Sequence, residues 1–158
     1  MASTITAATA TITIKAEISL AGQDKGFSHS YTIASVAEVL NRIMAIPTSE
    51  VEVMGFTAST PGGAADTALN EADVRFVCLT NLDDTNFIQI TLQDENSAES
   101  AHKLEAGHSF LVPISTEGVV DVHDGSASAL TVSFGDLTSI TALANTGECD
   151  LQVVSLGV

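Results

Sequence analysis

From Thr11 to Leu20 the chain alternates without a break. Ile12, Ile14, Ala16, Ile18 and Leu20 fall on one side, and Thr11, Thr13, Lys15, Glu17 and Ser19 on the other. A period of two is that of a strand, so a β-strand with one buried face is expected here. Upstream, Ser3 to Ala10 keeps the Thr, Ile and Ala character with smaller side chains. The whole run would reach about 60 Å at roughly 3.3 Å per residue, longer than a usual strand. Either it bends into two strands, or its first third reaches a neighbouring molecule. Residues 1–10 are accordingly set apart as an N-terminal arm or edge strand, and 11–158 as a single domain. Ile5, Thr6, Thr9, Thr11 and Ile12 are the candidate arm contacts.

Ala21-Gly22-Gln23-Asp24-Lys25-Gly26 reads as a turn, with Phe27 to Ile33 the return strand of a hairpin. Val36, Val39, Leu40, Ile43 and Met44 then follow helical spacing, and Ser35 with Glu38 forms a capping-box pattern. The spacing predicts a short helix over about 35–45; a strand closing at Ile46 before Pro47 is the alternative. Ser49 to Ala58 is a strand candidate, and Ser59 to Asp73, with Pro61-Gly62-Gly63, a long loop suited to a second contact. Val74 to Thr80 and Asn86 to Leu92 read as two strands of a hairpin. Asn81, Asp83, Asp84 and Asn86 supply its polar turn. Asp94 to Ala101 reads as an exposed loop, and further strands are expected at 109–114, 119–122, 129–134, 139–143 and 151–156. The pattern predicts a mainly β protein: a β-sandwich or related barrel of about eight to ten short strands, with at most one short helix.

Composition sharpens this picture. The chain has 158 residues, enough for one domain that buries about 68–70% of its unfolded surface. Hydrophobic residues make 45%, but there is no Trp, and aromatics are only 4%. Binding clefts rely on aromatic walls and convergent polar groups, so an enzyme is not expected. A carbohydrate-binding β-sandwich, a rival of another class, would need exposed aromatic platforms from one Tyr and six Phe.

Twenty Asp and Glu stand against five Lys and Arg, a net charge of −15. Lys15, Lys25, Arg42, Arg75 and Lys103 form no cluster in sequence. Such a surface repels phosphate backbones and anionic lipid, so neither nucleic acid nor membrane is an expected partner. The start, Met1-Ala2-Ser3-Thr4, lacks the basic and apolar blocks of a signal peptide, and no apolar run approaches the ~20 residues of a spanning helix. A soluble product made in the cytoplasm of its host cell is expected. Cys78 and Cys149 are expected as buried free thiols, with a disulfide the alternative.

Candidate chemistry is thin. His102 and His108 flank a Leu-Glu-Ala-Gly turn and His123 sits between acids Asp121 and Asp124, none at metal-ligand spacing. Asp83-Asp84 and Asp94-Glu95 could offer oxygens to Ca²⁺, although turn chemistry explains such acids equally well. Ser109 lacks the glycine at 111 of a nucleophile elbow, and Gly62-Gly63 lacks the lysine and helix of a phosphate loop. Neither catalytic residues, nor a metal, nor a cofactor is assigned.

Two stretches carry a resemblance. Val74-Arg75-Phe76-Val77-Cys78-Leu79-Thr80-Asn81-Leu82-Asp83-Asp84-Thr85-Asn86-Phe87-Ile88-Gln89-Ile90 and Lys103-Leu104-Glu105-Ala106-Gly107-His108-Ser109-Phe110 resemble small virion proteins of tailed, especially marine, bacteriophages. The weaker stretch from Leu20-Ala21-Gly22 through Arg42-Ile43 to Pro47 is similar to their front half. The resemblance implies a structural protein of the virion. The first expectation is an acidic capsid decoration, or cement, protein, a homo-oligomer (dimer or trimer) that also contacts the major capsid protein. A tail-associated adaptor, tube or fibre-base subunit bound to tail proteins is the alternative.

Overall fold

The computed structural model describes residues 6–57, 68–114, 118–120 and 134–158. Among these residues every regular element is a strand, and none is a helix. The chain divides into two compact units, one running to Glu38 and the other from Val39 to Gly157. The division therefore falls after residue 38. Residues 8–10, set apart on sequence as part of an N-terminal arm or edge strand, are the opening of the first strand.

The first unit is a hairpin. β1 (Ala8–Ala16) pairs antiparallel with β4 (Phe27–Val36), and Ala16 lies opposite Phe27. Between them β2 (Ser19–Leu20) and β3 (Gln23–Asp24) form a short ribbon. Its turn residues Ala21 and Gly22 both take positive φ, 53° and 76°, the handedness that matches the twist of the flanking strands.

The second unit is a sandwich of two sheets. One has the order β10-β9-β12-β6-β7, the other β11-β8-β13-β5. Their strands are β5 (Glu38–Ile46), β6 (Val51–Thr57), β7 (Ala68–Asn70), β8 (Val74–Asn81), β9 (Ile88–Asp94), β10 (Glu99–Leu104), β11 (Ser109–Val112), β12 (Leu137–Ala144) and β13 (Cys149–Gly157). The inner rows alternate as β geometry requires: Ile88, Ile90 and Leu92 on β9, Val77 and Leu79 on β8, Leu151 and Val153 on β13. They join Ile140, Ala142 and Ala144 of β12 and Ile46 of β5 in one core drawn from both sheets. The β-sandwich class expected from the sequence is the fold observed.

Four local expectations are corrected. The helix over 35–45 is instead the end of β4 followed by the edge strand β5. Its inward row is Leu40, Arg42, Met44 and Ile46, and the arginine breaks the apolar alternation that would have marked a strand. The helical reading would have buried Val39 and Ile43, which are 65% and 62% exposed. Arg42 is tolerated inside because its guanidinium donates to the carbonyl of Val53 on β6, although among the described residues its Nε finds no partner.

The segment 59–73 is not wholly loop, because β7 within it pairs parallel with β6; residues 58–67 lie outside the described residues. The strand candidate at 129–134 lies outside them too, apart from Phe134. The segment 94–101 is a turn whose last residues already belong to β10. This edge strand buries only Leu104, so it carries no apolar pattern to read. Finally, β8 and β9 are not a hairpin. They sit in different sheets, and residues 82–87 carry the chain across the sandwich.

Candidate functional site

The hairpin sorts its side chains by face. Directly opposed residues share a face, so the register Ala10↔Ile33, Ile12↔Tyr31, Ile14↔His29 and Ala16↔Phe27 builds one side. Thr11↔Thr32, Thr13↔Ser30 and Lys15↔Ser28 build the other, where the Thr13 and Ser30 hydroxyls hydrogen-bond at 2.9 Å. One side is apolar with a single histidine, and the other is entirely hydroxyl and lysine. The apolar side is largely uncovered: Ile14 is 37% exposed, Tyr31 39% and Phe27 59%. Ile18 and Leu20 beyond it are exposed as well. The alternation read from the sequence is present, but among the described residues the burial it implied reaches Ile33 and leaves Ile14, Tyr31 and Phe27 open. A two-stranded hairpin has no second layer of its own, and in water such hairpins are marginal. Contiguous uncovered apolar surface of this kind marks an interaction site.

Of the arm candidates, Thr9, Thr11 and Ile12 lie on β1, and Thr6 precedes it, exposed. Ile12 shares the apolar face, whereas Thr11 is on the hydroxyl face. Ile5 lies outside the described residues.

The turn candidates are brought together at one end of the sandwich, with Asn81 fully buried. Its Nδ2 donates to the carbonyls of Asn86 at 2.8 Å and Leu104 at 3.2 Å, while its Oδ1 accepts from the Asp83 amide at 3.0 Å. Its backbone N–H donates to His108 O, and Gly107 N–H donates to Asn81 O. One side chain therefore closes the crossing from β8 to β9 and ties in the β10–β11 connection. Gly107 makes that connection at a φ of 70°, a region costly for residues with a Cβ.

Asp83 accepts from the Asn86 and Thr85 amides at 2.6 and 2.7 Å. These amides hold its carboxyl below the ordinary value of 3.8. A carboxylate held low stabilises the fold in full above its ordinary value, and this contribution is lost as pH falls through the lowered value. Between about pH 6 and pH 3 the urea midpoint of the protein should therefore fall further than that of Asp83→Asn. An equal fall in both would show that these hydrogen bonds do not favour the charged form.

Asp94, the other acid proposed as a cation ligand, closes the opposite end. It is buried, and its Oδ1 accepts from the amides of Asn96 and Ala98 at 2.9 and 2.6 Å. Asp83 and Asp94 thus serve as turn staples. Among the described residues no group of three or more His, Cys, Asp or Glu could hold a metal ion. His102 bonds Ser100 and lies against Phe110 at 4.9 Å between ring centroids, and His108 bonds Ala106 O. Asp121, His123 and Asp124 lie outside the described residues.

Cys78 and Cys149 are free, as expected. Cys78 is only partly buried, on the outer face of β8, while Cys149 is buried at the start of β13. Burial raises both thiols, and the charge of Asp83 raises Cys149 further.

One feature gave no signal in the sequence. Glu71 and Asp136, far apart along the chain, line a small cavity of ≈ 80 Å³ with Phe56, Val74, Ile114 and Leu137. Partial burial raises the Glu71 carboxyl above 4.5, and the charges of Asp136 and Glu95 add to the shift. Neither acid belongs to any motif, so only the fold could bring them together. No protein-family model, curated protein or solved structure matches the chain.

Proposed function

We propose that this chain is a structural protein of a tailed-bacteriophage particle, acting as a capsid decoration or cement protein through contacts between subunits. The observation that carries this reading is the β1–β4 hairpin, which presents an uncovered apolar face opposite a hydroxyl-lined one. An element of this form is completed by packing against protein. The resemblance of residues 74–90 and 103–110 to small virion proteins supplies the setting. In that setting the major capsid protein is the lattice partner, and the acidic surface keeps a crowded shell of copies soluble.

The test is the amount of this protein in purified particles. A copy number that follows the major capsid protein supports decoration. A copy number matched to one tail moves the protein to a tail-associated role, and exclusion from particles ends the virion reading. Deleting residues 2–10 removes the Ala8↔Val36 and Ala10↔Ile33 pairs from the hairpin. The truncated chain should keep its sandwich and fail to bind particles stripped of the native protein; full occupancy would overturn the hairpin's role.

A further inference from the structure

We propose that the apolar face of the β1–β4 hairpin is covered by the same hairpin of two further copies of this chain, closing a six-stranded ring. The proposal rests on reading that face as an assembly surface, and it names the occupant. Two sets of groups on the hairpin need partners. The first is the apolar row, in which Ile14, Phe27 and Tyr31 remain exposed. The second is the pair of outer strand edges. Among the described residues β1 pairs with β4 alone, so each strand keeps one edge of backbone N–H and C=O groups open to pairing.

Area argues against a simple face-to-face pair. Nine residues of β1 span about 30 Å, and a two-stranded face is roughly 10 Å wide, giving about 300 Å² per copy. A standard stable interface buries about 800 Å² per partner, and a face-to-face pair would still leave all four edges open. Direction favours the ring. Because β4 runs antiparallel to β1, a threefold axis along the strands sets β4 of each copy antiparallel to β1 of the next. Both edges of every hairpin are then paired, and closure removes edges altogether. The apolar side turns inward, where Ala10 and Ala16 flank Ile12 and Ile14 on β1 and Ile33, Tyr31, His29 and Phe27 stand opposite them on β4. The hydroxyls and Lys15 turn outward.

Charge selects this part of the chain for self-association. Up to residue 38 there are two cations, Lys15 and Lys25, against three acids, Glu17, Asp24 and Glu38. That segment nets −1 and leaves −14 of the total −15 to residues 39–158. Copies meeting through the remainder of the chain would oppose like charge, whereas the hairpin face carries no acid.

The test is the solution mass of the purified full chain, by light scattering or sedimentation at physiological salt. Three times the 16.3 kDa of one chain is expected. Ile14→Asp, which places a charge inside the ring, should lower the mass threefold to that of one chain, and Phe27→Ser should do the same. Thr13→Asp, on the outward face, should leave the mass of three chains unchanged. Circular dichroism and the urea midpoint establish that each variant keeps its sandwich, whose core draws no residue from the hairpin. A monomeric or dimeric wild-type chain overturns the ring, as does a trimer indifferent to both Ile14→Asp and Phe27→Ser. A trimer that ignores particles leaves the ring standing and removes the decoration reading. A monomer that binds particles does the reverse.

Discussion

Replacing Asn81 by Leu should lower the unfolding free energy by about 3 kcal/mol, because buried groups left without partners cost roughly 1–3 kcal/mol each. Leucine is close in size, so the effect isolates hydrogen bonding from volume. It leaves the carbonyls of Asn86 and Leu104 and the amide of Asp83 without the partner they have now. These groups belong to the crossing between sheets and to the end of β10, so the loss reaches both layers. The measurement is urea unfolding followed by circular dichroism. Thr85→Ala in the same loop, whose hydroxyl bonds the exposed Asp84 side chain, should move stability by less than about 0.5 kcal/mol. Equal midpoints for Asn81→Leu and the wild type would mean that the network does not hold the crossing.

A loss of about 2–5 kcal/mol is expected for Leu79→Ala, the range for emptying a buried leucine site. Leu79 is fully buried at the middle of β8, with Phe110 opposite it on β11 and Val153 on β13. β8 is held by pairing on both sides, with β11 and β13, so little collapse into the vacated volume is available. Leu111 provides the contrast. It lies on neighbouring β11 with its side chain on the outer face, 42% exposed. Leu111→Ala removes the same atoms from the same sheet and should cost about 1 kcal/mol or less, since much of that side chain is already in water. Similar losses at the two sites would contradict the assignment of inner and outer faces.

Alternation made much of this architecture legible. Ile12 to Leu20, Val51 with Val53, Val77 with Leu79, and Leu151 with Val153 each repeat every second residue, and each lies on a strand or its immediate extension. The signal failed where a strand buried something other than an apolar row. Arg42 interrupts the inner row of β5, so the segment reads at helical spacing until the Val53 carbonyl is seen to accept from it. β10 lies at a sheet edge and buries one residue, which leaves no pattern. The turn at 81–87 was recognisable from Asn81 and Asp83, yet turn chemistry is the same whether a chain folds back within its sheet or crosses to another.

The candidate surface was legible in the same partial way. The residues of the apolar hairpin row could be named from their spacing, because side-chain direction along a strand is a local property of the backbone. Whether that row is covered depends on what stands above it, and spacing carries no information about a second layer. Sequence alone determined that this protein is built of sheets, that Ile12 and Ile14 share a face, and that its surface is strongly acidic. Only the tertiary structure decided that β8 and β9 belong to different sheets, that Asn81 is sealed inside the crossing, and that Glu71 and Asp136 line one cavity. Those outcomes depend on contacts between residues distant along the chain, whose energies arise only once the sheets have stacked.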